Sequence, residues 1–179
     1  MEPLKPEQAM FFFNTMSLPA LKNEHGITRK IIRTIPMDKG DYRPDPISKT
    51  ALELAWHIVA AEHRFLDGIV AGKFDFTPNH RPESIHDSAG LADWYEKTFA
   101  ADFERLSKIS GDQLTRIIDF RGMFQLPALT YIQFTLFHSI HHRGQLSMYL
   151  RPMGAQVPTI YGESYADGEA RKSAQSASN

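Results

Sequence analysis

Cysteine is absent from the 179-residue sequence, which removes disulfide frameworks, thiolate metal sites and cysteine nucleophiles together. A reducing, cytoplasmic setting fits that absence. No excess of either charge is present: 20 Lys and Arg oppose 21 Asp and Glu, for a formal net charge of -1. Without a positive field or a basic helix, neither nucleic acid nor an anionic membrane is an expected partner. Long apolar runs are missing too. The longest uncharged stretch, Gly122 to His142, covers 21 residues, near the roughly 20 that a spanning helix requires. It carries Gln125, Thr130, Gln133, Thr135, His138, Ser139, His141 and His142, so it reads as a buried helix of a soluble bundle. Met1-Glu2-Pro3 has no basic region and Met10 to Phe13 is too short for a secretory core, so no signal peptide is expected. A Gly-x-Ser-x-Gly elbow, a His-Glu-x-x-His zinc-protease motif and a Gly-rich phosphate loop are all lacking. No period of repetition appears along the chain.

What is present is helical periodicity. Leu18, Leu21, Thr28, Ile31, Ile32 and Ile35 predict a first helix over about 17–35, closed by Pro36. Pro44 and Pro46 then force a connecting loop. Thr50 and Glu53 form a capping box for a second helix whose face carries Leu54, His57, Ile58, Ala61, Phe65 and Leu66, ending near Gly68 or Gly72. Residues 73–87, with Pro78, Asn79 and Pro82, read as a long crossover. A third helix runs from near Ser88 through Leu91, Tyr95, Phe99, Asp102, Leu106 and Ile109 to a stop at Gly111, and 111–124 reads as an extended connection or short strand pair. Pro127 opens a fourth helix through Leu129, Ile132, Leu136, Ile140 and Leu146, interrupted by Pro152 and Gly154. The fold class is therefore all-α: a four-helix bundle with a long crossover between helices two and three, one domain over 1–162 and a mobile Ser- and Ala-rich tail over 163–179.

With cysteine gone, eight His are the main metal-binding capacity. His138 and His142, four residues apart, sit about 40 degrees apart in azimuth and about 6 Å along a helix, so two imidazoles reach one ion. His57 is the best third donor, because it shares the inward face of Leu54 and Ala61. A di-iron carboxylate site is disfavoured, since Gln125 to Arg151 contains no Asp or Glu. His141 is an alternative partner of His138 but is displaced about 100 degrees from His142, which favours a supporting or surface role. His25 reads as a hydrogen-bonded core histidine or a residue approaching the site, His63 as solvated, and His80 and His86 as loop residues with a substrate contact as the minority reading. Gln145 reads as a residue orienting a ligand or metal-bound water, or equally as a packing or solvated helix-surface residue. Arg143 reads as an anion or partner contact or a solvated cation, and Tyr161 as a residue closing the cleft or a core aromatic with a wet hydroxyl.

Two segments then resemble a known family: Pro46 to Ile58, Pro-Ile-Ser-Lys-Thr-Ala-Leu-Glu-Leu-Ala-Trp-His-Ile, and Phe137 to Arg151, Phe-His-Ser-Ile-His-His-Arg-Gly-Gln-Leu-Ser-Met-Tyr-Leu-Arg. Both are similar to the DinB-like, damage-inducible family of metal-binding four-helix bundles, and the likeness continues through Gly154 to Tyr161. The resemblance implies a divalent metal on His57, His138 and His142, a homodimer, and a low-molecular-weight thiol as a substrate of some relatives. Three imidazoles leave coordination positions open, the pattern of catalytic rather than closed structural sites. Thiol transfer and hydrolysis are both compatible with it, and zinc or nickel suits the donors. The expectation is a metal-dependent transferase or hydrolase, with no catalytic residue assigned. Its rival is a non-catalytic metal-binding or dimerisation module in a stress response.

Overall fold

The computed structural model describes residues 3–177, so Met1, Glu2 and the last two residues of the expected tail lie outside the described residues. In chain order the elements are α1 (Pro6–Phe12), a π-helical stretch (Phe13–Ser17), α2 (Leu18–Arg33), a 3-10 turn (Met37–Lys39), α3 (Ala51–Ala71), α4 (Ser88–Leu106), α5 (Gly111–Thr115), β1 (Ile117–Phe120), β2 (Phe124–Pro127), α6 (Ala128–Leu150) and α7 (Tyr165–Ala177). The long helices α2, α4, α3 and α6 pack in that order around a ring, each against the next, and α6 closes back on α2. Chain neighbours α2 and α3 therefore lie across a diagonal. Ile31, Ile58, Leu91, Ile132 and Leu146 are among the side chains buried in the common core.

The first helix begins earlier than its periodicity predicts. Pro19 has no amide hydrogen to offer and its ring crowds the carbonyl one turn back, and the π-helical stretch immediately before α2 widens that turn to accommodate it. The wider turn keeps Ala9 and Phe13 buried together with Ser17 and Leu21, a four-residue spacing that a pure 3.6 period would drift away from.

The second helix starts and stops where its sequence dictates. Thr50 accepts from the Glu53 amide at 3.2 Å, while the Glu53 carboxylate accepts from the Thr50 amide at 2.8 Å. Gly72 ends the helix in the left-handed region at φ 75°. Ser88 opens α4 behind an Asp87 cap, as expected, but α4 ends at Leu106 and Gly111 is not its stop. Ser110 and Gln113 form a second capping box, so Gly111 begins α5 instead. A Cβ on Gly111 would lie 2.5 Å from the Pro6 carbonyl oxygen, and this close approach lets α5 pack on α1.

Residues 117–127 form an antiparallel hairpin in the register Ile117↔Pro127 to Phe120↔Phe124. The Tyr131 hydroxyl donates to the Ile118 carbonyl at 2.9 Å, and Phe120 stacks on Phe65 of α3 with ring centroids 5.7 Å apart. The hairpin is thereby fixed across α3 and α6. Past Gly154, the Ser- and Ala-rich end is helical as α7 and buries none of its residues. Among the described residues, no helix is long and apolar enough to cross a membrane.

Candidate metal centre

His57 projects from the second turn of α3, and His138 and His142 from successive turns of α6. Because α3 and α6 are ring neighbours, the three imidazoles meet. The His57 Nε2 atom lies 3.1 Å from His138 Nε2 and 3.2 Å from His142 Nε2. One nitrogen from each ring falls within 4.8 Å of the others, and all three residues are half-buried. Four donors at 2.0–2.1 Å around a tetrahedral ion stand about 3.3 Å from one another, so the spacing suits an ion-sized centre.

Hydrogen bonding alone accounts poorly for this cluster. The His142 Nδ1 atom meets Gln145 Oε1 at 2.7 Å, which assigns the proton to Nδ1 and leaves Nε2 as a bare lone pair. The single ring nitrogen of His57 faces two imidazole nitrogens and cannot donate to one while accepting from the other. A cation satisfies all three lone pairs at once. Burial, reinforced by His142 and His57, pushes the His138 ring down to about 4. His57 is lowered as well, by burial first and then by His142, Lys49 and Arg64. Both rings therefore stay neutral near pH 7, the form that ligates. His138 Nδ1 is buried with no hydrogen-bond partner among the described residues.

The remaining histidines separate from this cluster. His141 is exposed and accepts from the Gln145 amide nitrogen at 3.2 Å, so Gln145 bridges the two rings. His25 is a core residue, stacked on Phe99 at 3.8 Å and hydrogen-bonded to Glu96 at 3.2 Å. His63 is not simply solvated: its Nδ1 meets the buried Asp102 at 2.6 Å, and that bond raises its pKa. The inward Asp102 on the face of α4 has thereby found its partner. His80 and His86 are exposed in the crossover.

Arg143 and Tyr161 correct their expected roles. Arg143 is 1% exposed and turned away from solvent, because its neighbours on the buried stripe are Ser139, Leu146 and Leu150. Its guanidinium pairs with Glu24 Oε2 at 2.6 Å and also reaches Thr28 Oγ1 at 3.3 Å. The Tyr161 hydroxyl accepts from Arg143 at 2.6 Å and donates to Glu24 at 2.7 Å, so it closes an ion pair rather than a cleft.

Glu62, which the histidine pattern did not single out, is also buried. It accepts from Tyr95 Oη at 2.7 Å and Ser139 Oγ at 3.1 Å. Burial pushes its carboxyl up to about 7, against the downward pull of those two hydroxyls. Its place between Ile58 and Leu66 on the apolar stripe was the available signal.

A cleft of about 630 Å³ opens beside His57, between α3, the crossover and the hairpin turn. Trp56 and Phe76 supply part of its wall, and the Trp56 indole donates to the Asn79 carbonyl at 3.2 Å. Trp94 packs against Trp56 at 4.9 Å.

The sequence profile of the DinB family matches residues 10–175. The uncharacterized protein YjoA of Bacillus subtilis (strain 168) is 31% identical over 134 residues, covering 74% of this chain and 85% of its own length. The uncharacterized protein YrdA of the same strain is 30% identical over 143 residues, covering 78% and 82%. Among crystal structures, the DinB-like YjoA from Bacillus subtilis aligns with a TM-score of 0.70 at 26% identity, over 84% of this chain and 100% of that one. A DinB-like protein from Bacillus cereus ATCC 10987 aligns with a TM-score of 0.70 at 29% identity, over 81% and 95%.

Proposed function

The chain belongs to the DinB family, and from that premise we propose that His57, His138 and His142 hold one divalent metal ion in a metal-dependent transferase or hydrolase acting on a thiol or water. The observation that carries this reading is the convergence of three Nε2 atoms, with 3.1 and 3.2 Å contacts at His57. Zinc or nickel suits an all-imidazole set. Such an ion acts as a Lewis acid that makes water or a thiol acidic enough to lose its proton near neutral pH.

The protein's own part is orientation. Gln145 holds His142 in the tautomer that presents Nε2, and packing of α3 on α6 sets the distance between His57 and the pair. Gln145→Ala is expected to weaken zinc affinity by about 10- to 100-fold, measured by chelator competition, because the ring loses the acceptor that fixes it.

Metal analysis of purified wild type and His57→Ala tests the ligand set, with near-stoichiometric metal expected only in the wild type. Cobalt(II) substitution then tests the open positions: addition of cysteine as a probe thiol should change the visible spectrum and add a sulfur-to-cobalt charge-transfer band. A wild-type protein that takes up no metal overturns the whole proposal. Cobalt without any exchangeable ligand overturns the enzymatic reading and leaves a site that only ties α3 to α6. The protein is also expected to form a homodimer, which light scattering reads out.

A further inference from the structure

The cleft beside His57 is cationic in a chain that is not. Lys49, Arg64, Arg81 and Arg121 all line it, and none forms an ion pair among the described residues. Five arginines elsewhere do pair: Arg29 and Arg33 with Asp93, Arg105 with Asp67 and Asp102, Arg143 with Glu24 and Arg171 with Glu163. The cleft arginines are held by groups that position a guanidinium without neutralising it. Arg64 donates to the Thr77 carbonyl at 2.9 Å, Arg81 donates to the Ile85 carbonyl, and Arg121 lies 4.2 Å over the Phe76 ring. Lys49 has no hydrogen bond among the described residues.

The carboxylates nearby are committed elsewhere. Glu53 lines the same wall but accepts the Thr50 amide in the capping box. On the other side of Arg64, Asp75 accepts from the Thr77 amide at 2.9 Å and the Thr77 hydroxyl at 2.7 Å, and Asp67 pairs with Arg105 at 2.7 Å. These carboxylates keep their charge and offset part of the field, yet four cations line the cleft against the single carboxylate of Glu53, an excess of positive charge in a chain whose formal charge is -1. Lys49, Arg64 and His57 line one and the same cleft. A concave wall of one sign concentrates ligands of the other, and the cleft's volume lies in the range of small-molecule sites.

We propose that this cleft binds the anionic end of the substrate, a small organic molecule carrying carboxylate or phosphate oxygens, with Lys49, Arg64, Arg81 and Arg121 as its recognition residues. The anion sits against the four cations, the apolar part lies along Trp56 and Phe76, and the reacting atom extends toward His57. Guanidinium forks match both carboxylate and phosphate oxygens, so the two sources share one chemistry. The assignment of the reacting end rests on the proposed function. The anion subsite itself does not need the metal.

The test uses the full chain, stripped of metal and separately loaded with cobalt, titrated with succinate and with inorganic phosphate while tryptophan emission is followed. Trp56 lines this cleft, and Trp94, the other tryptophan of the chain, packs on it at 4.9 Å. Saturable binding to metal-free protein by at least one of the two anions, lost on adding salt and not reproduced by neutral succinamide, is expected. Which anion binds more tightly tells carboxylate from phosphate. The Lys49→Gln/Arg121→Gln double variant removes two charges without removing a hydrogen bond that holds the fold, and should raise the dissociation constant at least tenfold at unchanged melting temperature. Equal binding by the double variant, equal binding of succinamide, or no binding of either anion to metal-free wild type overturns the inference. Cobalt uptake by the same samples reads the metal proposal separately: normal uptake with charge-independent anion binding sinks only the subsite, and absent uptake with charge-dependent binding sinks only the metal.

Discussion

Replacing Arg143 with methionine is expected to lower the free energy of unfolding by about 3–5 kcal/mol, the cost of removing one member of a buried ion pair. Glu24 stays behind at 8% exposure, with its 2.6 Å partner gone and only two neutral donors left to it, the Tyr161 hydroxyl at 2.7 Å and the Asn23 amide at 3.4 Å. The penalty comes from the stranded carboxylate more than from the lost attraction. The Glu24→Leu/Arg143→Met double variant should therefore recover most of the loss, because apolar side chains of similar size tolerate the position without desolvating a charge. Urea unfolding of the four proteins in the cycle measures the difference. A single-variant loss below about 1 kcal/mol would show that water reaches Glu24 and that the pair behaves as a surface one.

The second large effect is a pH dependence carried by Glu62. Its folded-state pKa stands at about 7 against an ordinary 4.5, because burial disfavours the carboxylate. The folded state thus binds the proton more tightly than the unfolded chain. The stabilisation is full below pH 4.5 and is withdrawn as pH rises through 7, amounting to about 3 kcal/mol. Glu62→Gln cannot titrate, yet its amide still meets Tyr95 and Ser139, whose hydroxyls both donate and accept. The stability of wild type relative to Glu62→Gln should fall by about that amount between pH 4.5 and pH 8. Comparing the two proteins cancels His63, whose raised pKa also withdraws stability as pH rises. A difference independent of pH would mean that Glu62 is ionised in the folded protein throughout.

The ends of α3 were legible because local chemistry sets them: the Thr50–Glu53 box and the left-handed Gly72 each involve residues close in the chain. The grouping of His57 with His138 and His142 was legible for a related reason, since helical spacing puts two of them on one face and the apolar stripe turns the third inward. The start of the first helix was not, because a π-helical turn ahead of Pro19 breaks the 3.6 period on which the reading depends. Gly111 was misread as a stop because what requires it is the Pro6 carbonyl, more than 100 residues away. Arg143 was misread because its burial depends on Glu24 and Tyr161, remote in sequence, although its register with Ser139 and Leu146 already marked the inward stripe. The cationic cleft was out of reach for the same reason. Its charges come from before α3, from within it, from the crossover and from the hairpin turn, and only the folded chain assembles them.

The clasp between Glu24 and Arg143 joins residues 119 positions apart, and this separation sets a schedule for a nascent chain. At roughly 5–20 residues per second, the ribosome takes on the order of ten seconds to polymerise the stretch between them. Throughout that interval the carboxylate has no Arg143 guanidinium to meet, so α2 can pack on α4, which emerges first, but not yet on α6. Closure of α2 onto α6 accordingly waits until the Tyr161 segment has followed Arg143 out of the exit tunnel.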